Sequence, residues 1–213
     1  TTTVTPITCN ADGSVVINAI GGWGGNSYTL TQPDTTVLPA QGSNTFSNLS
    51  QPGTYTARVT DSKGCVQTIP FSLSTPTAPT ASIAITSDYC FDPINGATLE
   101  VTVAGGITPY EYNINGGPFG SSNVFTNLTP GNYTIVVRDA YGCTVTLPAQ
   151  TIAPQLTVNT VLTKELDCSA SPDAVITGTI TGGYAPFTYA VSINGGAYSS
   201  LGATGSPFVY TAA

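Results

Sequence analysis

The chain has 213 residues, a formal net charge of −7 and only 7% charged residues, against about 25% in an average soluble domain. Its four basic residues, Arg58, Lys63, Arg138 and Lys164, form no cluster. That excludes a nucleic-acid or anionic-membrane partner, either of which needs a basic stripe to neutralise phosphates. With 40% hydrophobic residues, 23 Gly and 16 Pro, the chain can bury a core and turn often, which excludes disorder.

No apolar run of 18 residues is present, so no helix is expected to span a membrane and no direct membrane insertion is expected. No signal-peptide pattern opens the chain. Thr1 reads as the start of mature protein or the interior of a longer one. The surface must be largely neutral Thr, Ser, Asn and Gln, the make-up of small β-rich extracellular modules.

In chain order, the first element is a strand in which Val15, Ile17 and Ala19 alternate with less buried neighbours up to Gly21-Gly22. A second strand follows with Tyr28 and Leu30 inward, then a turn at Gln32-Pro33-Asp34. Leu49-Ser-Gln-Pro-Gly53-Thr-Tyr55 leads into a strand with Tyr55, Ala57 and Val59 on one face. A turn at Asp61–Gly64 then delivers Cys65 to the last strand. The joint Ser74-Thr-Pro-Thr-Ala-Pro-Thr80 is short and Pro-containing, hence semi-rigid and extended.

The same order then repeats. Leu99, Val101 and Val103 alternate before Gly105-Gly106, and Tyr110 and Tyr112 begin the next strand. Asn115-Gly116-Gly117 follows, and Asn-Gly is the strongest short hairpin signal because type I′ turns need positive φ at both central residues. Leu128-Thr-Pro-Gly131-Asn-Tyr133 leads into Tyr133, Ile135 and Val137, and Asp139–Gly142 precedes Cys143. After the joint Ile152-Ala-Pro-Gln155, a third pass shows Ile176 and Ile180, Gly182-Gly183, Phe187 and Tyr189, and Asn194-Gly195-Gly196. No segment has a 3.6-residue period, so the chain reads as all-β.

Gly53–Cys65 and Gly131–Cys143 align residue for residue, at an offset of about 78 residues, longer than the repeats of solenoids. The same offset separates Cys90 from Cys168. Three modules follow: residues 1–76, 77–154 and 155–213, the last incomplete because it stops before the Gly-x-Tyr…Gly-Cys stretch. Tyr55 and Tyr133 resemble the tyrosine corner of immunoglobulin-like sandwiches, the ring in the core and the hydroxyl on nearby backbone. The expected fold is a tandem of immunoglobulin-like or fibronectin-III-like β-sandwiches.

The cysteines are Cys9, Cys65, Cys90, Cys143 and Cys168. Repeat register pairs Cys9 with Cys65 and Cys90 with Cys143, leaving Cys168 for a segment after Ala213. Such loops give roughly 4 kcal/mol in the chain-entropy estimate and imply an oxidising compartment. The alternatives are buried free thiols or zinc, and zinc has neither a C-x-x-C nor a His in its favour.

The residues Gly105-Gly-Ile-Thr-Pro-Tyr-Glu-Tyr112, Asn115-Gly-Gly117 and Asn127-Leu-Thr-Pro-Gly-Asn-Tyr-Thr-Ile-Val-Val-Arg-Asp-Ala-Tyr-Gly-Cys143 resemble the SprB-type repeat. The resemblance is strongest in the second module. The first departs at Gly22-Trp-Gly-Gly-Asn-Ser-Tyr28 and lacks Asn-Gly-Gly; the third lacks the final stretch. The resemblance implies a large Bacteroidetes surface adhesin, of the kind that includes gliding-motility adhesins, exported by type IX secretion to the bacterial cell surface. It also draws attention to Asp34-Thr35-Thr36, which resembles the Bacteroidetes O-glycosylation site, with Thr35 as the acceptor.

Chemistry is not expected. The absence of His removes Ser-His-Asp and Cys-His arrangements and the commonest metal ligand, and no P-loop is present. Asp88 with Asp92, and Glu100 with Glu111, are the nearest candidate carboxylate pairs for glycoside hydrolysis, and each reads better as a turn or surface acid. Asp61 and Asp139 could be calcium ligands, but an Asx-type turn uses Asp in the same way and no acid run supplies six to eight oxygens. No enzyme activity, cofactor or metal is therefore expected.

Trp23, Ile107 and Tyr184 follow the Gly-Gly pairs and would pack against the joints between modules. A sharper reading makes Trp23 and Tyr184 an aromatic face for a surface polysaccharide. The expected function is a non-catalytic spacer or stalk in a surface adhesin or filament. Its partners would be neighbouring copies or modules and a polysaccharide or protein ligand. A carbohydrate-binding array, or an accessory region of a secreted enzyme, is the alternative.

Overall fold

The computed structural model describes residues 1–166 and 173–212, and among them every regular element is a strand. The chain forms two compact units. One holds Thr1–Ser82, Val103–Ser121 and Ile135–Leu147; the other holds Ile83–Thr102, Ser122–Thr134 and Pro148–Ala213.

The first repeat lies wholly in the first unit. Its strands are β1 (Thr2–Thr5), β2 (Gly13–Ile17), β3 (Ser27–Thr31), β4 (Val37–Gln41), β5 (Thr45–Leu49), β6 (Gly53–Thr60) and β7 (Val66–Leu73). They form two antiparallel sheets, β1-β2-β5 and β4-β3-β6-β7, the layout of an immunoglobulin-like or fibronectin-III-like sandwich. Alternation drives the packing: β2 buries Gly13, Val15 and Ile17 and turns Ser14 and Val16 outward. Val15, Ile17, Phe46 and Leu49 of one sheet meet Leu30, Tyr55, Ala57, Phe71 and Leu73 of the other in a single core. Tyr55 is fully buried, stacks on Phe71 at 5.2 Å, and donates its hydroxyl to the Gln51 carbonyl at 2.7 Å. Burial pushes its phenol above the ordinary value.

The second repeat contributes to both units. Its strands are β8 (Thr80–Ile83), β9 (Ala97–Ala104), β10 (Glu111–Ile114), β11 (Val124–Leu128), β12 (Gly131–Tyr133), β13 (Ile135–Arg138), β14 (Thr144–Thr146) and β15 (Gln150–Ile152). In the first unit, β10-β13-β14 form a sheet that buries Tyr112, Ile135, Val137 and Leu147. At the end of β10, Asn115 and Gly116 take φ of 50° and 73°, and Gly117 N–H reaches the Ile114 carbonyl at 3.0 Å, the primed turn that Asn-Gly favours. In the second unit, β11 pairs β9 and β12 pairs β15. The single strand expected through Tyr133, Ile135 and Val137 is two. Pro148 offers no N–H to the ladder; it follows Leu147, which still pairs with Ile135, and pairing resumes between Tyr133 and Gln150. Tyr133 keeps the corner bond, to the Thr129 carbonyl at 2.7 Å, but its ring is only half-buried.

The third repeat lies in the second unit as β16 (Thr157–Lys164), β17 (Ala174–Thr181), β18 (Phe187–Val191), β19 (Ser199–Thr204) and β20 (Phe208–Ala212). Its sheets, β16-β17-β20 and β18-β19, are the counterparts of β1-β2-β5 and β3-β4. An apolar cleft of about 410 Å³ lined by Ile176, Ile180, Phe187, Tyr189, Phe208 and Tyr210 occupies this repeat, whose described strands include no counterpart of β6 and β7.

The two corner tyrosines should therefore differ in weight. In urea unfolding of the oxidised chain, Tyr55→Ala should cost about 3–5 kcal/mol by opening a core cavity. Tyr133→Ala should cost less, about 1–2 kcal/mol, because half of that side chain is already in water. Each Phe variant should cost about 1 kcal/mol for the lost hydroxyl bond. Equal losses for the two Ala variants would contradict this difference in burial.

Candidate functional site: the ends of the repeats

Each sandwich has two ends. In the first repeat, the β2–β3 loop with Gly21-Gly22 and the β6–β7 turn with Cys65 form one end. The β1–β2 loop with Cys9 and the β5–β6 turn form the other, since Gly13 pairs with Leu49.

The Gly-Gly end is held by one carboxylate. Asp61 Oδ1 accepts the Lys63 and Cys65 N–H groups, both at 2.9 Å, and Oδ2 accepts Trp23 N–H at 3.2 Å. Asp139 does the same in the second repeat, taking Tyr141 and Cys143 N–H at 2.9 Å and Ile107 N–H at 3.0 Å. The carboxylate thus ties its own turn to the Gly-Gly loop. All the oxygens that would face a calcium ion are used on backbone, and no cluster of three potential metal ligands occurs among the described residues. Burial alone would raise the Asp61 carboxyl, but the N–H groups of Cys65, Lys63 and Trp23 outweigh it and hold the group below the ordinary 3.8.

The disulfide is where the structure departs from expectation. Cys9 is bonded to Cys143, with their Cα atoms 5.0 Å apart across a sequence separation of 134. The expected Cys9–Cys65 and Cys90–Cys143 pairs do not form, and Cys65 and Cys90 are exposed thiols. The reason is the strand between the two ends. Eight-residue β6 separates the Cys9 end from the Cys65 end, a span of about 26 Å at strand rise, far beyond the reach of a disulfide. Cys9 instead meets the Gly-Cys turn of the next repeat. Cys168 lies outside the described residues.

Backbone contacts support this junction. The Thr8–Ala11 turn is closed by Thr8 N–H to the Ala11 carbonyl at 2.9 Å, and Cys9 N–H reaches the Tyr141 carbonyl at 3.0 Å. Gly142, at φ 75°, has no room for a side chain: a Cβ there would run into the Asn10 amide. Beside it, Arg138 pairs with Glu111 at 2.6 Å and lies 4.0 Å over the Phe119 ring. Asn10 and Tyr141 were not among the sequence candidates. Only asking which end of the sandwich each cysteine occupies would have found them.

The remaining candidates are dispersed. Trp23, in the first unit, is 72% exposed and is held only through its backbone. Tyr184, in the second, is committed to the joint, donating to the Thr151 carbonyl and accepting Ala153 N–H at 2.8 Å, with its ring edge-on to Tyr89. Thr35 is an exposed residue of the β3–β4 turn at φ 71°, next to Asp34, whose carboxyl Gln51 and the Thr36 N–H hold low. Among the carboxylates, Glu111 is taken by Arg138 and Glu100 accepts the Thr86 hydroxyl. Asp88 caps Cys90 N–H, and Asp92 caps Ile94 and Asn95 N–H.

These features define a tandem of small all-β repeats in which one end of the first repeat is bonded covalently to the facing end of the second. The family model of the SprB repeat matches residues 1–35 and 82–119, parts of the first and second repeats. No curated protein sequence matches it. Among solved structures, it is similar to the crystal structure of a tetra-tandem repeat in the extending region of a large adhesion protein, at 16% identity and TM-score 0.29. That similarity covers 99% of this chain and 64% of the other. Invasin, a bacterial integrin-binding protein, is similar at 13% identity and TM-score 0.26, over 84% of this chain and 45% of that one. The chain thus spans less than two thirds of either structure.

The Asp61 clamp should be acid-sensitive. Its folded pKa lies below the unfolded one, so its contribution is complete above about pH 4 and is lost as pH falls through the folded value. The protection of the Cys65 and Trp23 amides, measured as exchange relative to the intrinsic rate at the same pH, should fall on acidification below about pH 4. Asp61→Asn should abolish that acid step while leaving Cys143 protected. An unchanged acid step in the variant would show that another group controls the turn.

Proposed function

We propose that this chain is a load-bearing spacer in a bacterial cell-surface adhesin, working without catalysis to hold a binding region away from the cell. The observation that carries the reading is the Cys9–Cys143 bond between consecutive repeats, in a chain that the SprB-repeat family model matches at residues 1–35 and 82–119. Such a bond suits extension under load. Tension applied along the chain passes from Cys9 straight to Cys143, so the residues between them sit in a closed loop that bears none of it. The SprB resemblance adds type IX export, surface attachment and gliding motility to this reading. Thr35, exposed at a turn, is a suitable acceptor for a surface sugar.

A second reading, a carbohydrate platform, is favoured by one observation: the exposed ring of Trp23 at the end of the first repeat. In an adhesin that contains this segment, deleting it should reduce attachment, and an unrelated spacer of equal length should restore it. Failure of rescue, together with glycan binding that disappears in Trp23→Ala, would replace the spacer reading with the platform.

Pulling the isolated chain from its two ends supplies a mechanical check. The oxidised protein should withhold the extension of residues 10–142. Reduction should release it, lengthening the stretched chain by about 450 Å at about 3.4 Å per residue. Identical extensions before and after reduction would show that tension does not run through this disulfide.

A further inference from the structure

Cys65 and Cys143 sit in the same turn. In each, the preceding Asp accepts the cysteine N–H at 2.9 Å, and the cysteine carbonyl accepts the Asp N–H at 3.0 Å in one repeat and 2.9 Å in the other. The glycine before each cysteine has positive φ, 85° and 75°. Yet Cys143 is buried and bonded, whereas Cys65 is exposed and free. Cys90 is related to Cys9 in the same way, for each lies in the loop between the first two strands of its repeat, and Cys90 is also an exposed thiol.

The surroundings of Cys65 leave it accessible to such a partner. The Gly-Gly pair of each later repeat is covered by the joint before it: Gly106 packs on Pro79, and Gly182 on Pro154 and Gln155. In the first repeat, nothing approaches Gly21, and Gly22 meets only Asp61. A cleft of about 520 Å³ opens there, with Cys65, Ile17, Ile20, Val66 and Ile69 on its walls, and Ile20 is almost fully exposed.

We propose that Cys65 and Cys90 are open halves of the same inter-repeat bond, and that each pairs with the complementary cysteine of a further SprB-type repeat. Cys65 takes the loop cysteine of one repeat, seated as Cys9 is seated on Cys143. Cys90 takes the cysteine of another repeat's Asp-x-x-Gly-Cys turn. The bonds then form a ladder, always loop cysteine to turn cysteine and always between neighbouring repeats. Each bond forms when two thiols release two protons and two electrons. A small-molecule disulfide or a protein disulfide oxidant accepts both and leaves as two thiols.

The test is disulfide mapping of the surface protein as its cells make it. Thiols are blocked with N-ethylmaleimide, and the protein is cleaved before aspartate without reductant. That cleavage separates the five cysteines into peptides 1–11, 61–87, 88–91, 139–166 and 167–172. Peptide 1–11 should be joined to 139–166. Peptides 61–87 and 88–91 should each be joined to a peptide from outside residues 1–213, the first carrying a loop cysteine and the second a Gly-Cys turn. Introducing Cys65→Ser should remove only the 61–87 cross-link. Maleimide on Cys65 and Cys90, a bond between those two residues, or a small thiol attached to either would overturn the proposal. The inference rests on the array reading but not on its spacer role, because failure of an equal-length spacer to rescue attachment would leave this map unchanged.

Discussion

A β-sandwich keeps its two ends apart by the length of its strands, and that separation governs how this chain is joined. A strand such as β6, with eight residues, is a strut of about 26 Å. Loops at one end can touch one another but not those at the far end. A cysteine in the β1–β2 loop is therefore within reach of whatever stands beyond its own repeat, and a cysteine in the β6–β7 turn faces the opposite way. Chemistry at the two ends is complementary by construction, and tandem order brings a loop cysteine to the turn cysteine of its neighbour.

The carboxylate clamp prepares the receiving end. Asp139 is 4% exposed and accepts three backbone N–H groups, which fixes the turn that presents Cys143. Without such a partner the Cys143 N–H, the buried one of the three, would be left unpaired at a cost of about 1–3 kcal/mol. Gly142 then lets Asn10 approach where any side chain would collide. Order in the turn, close approach of the neighbouring loop and the disulfide are successive consequences of Asp-x-x-Gly-Cys.

Much of this was legible in the sequence, and the reasons are local. Alternation at Val15 and Ile17, and at Leu99 and Val101, marks strands because one face is buried and the other wet. Asn115-Gly116 marks its turn because few other pairs accept positive φ twice. Asp61 and Asp139 were readable as turn caps because an Asp side chain reaches the N–H two residues on. What repeat register could not supply was direction. It shows that Cys9 corresponds to Cys90 and Cys65 to Cys143, but correspondence carries no information about which ends meet. Pro148 broke the strand at Thr134 through a register slip that no spacing rule displays, and Tyr184 turned from a candidate ligand face into a joint residue through backbone bonds thirty-odd positions away.

Bonding between repeats rather than within them changes what a disulfide does. Closed within one sandwich, it would hold together a fold that already has a core, such as the one around Tyr55 and Phe71. Closed between Cys9 and Cys143, it removes the entropy of a 134-residue loop, about 5 kcal/mol in the chain-entropy estimate, and shares that gain between two repeats. It also makes their junction covalent. The Cys9–Cys143 bond joins the two repeats through two side chains, and the sandwich cores remain free to fold on alternation alone.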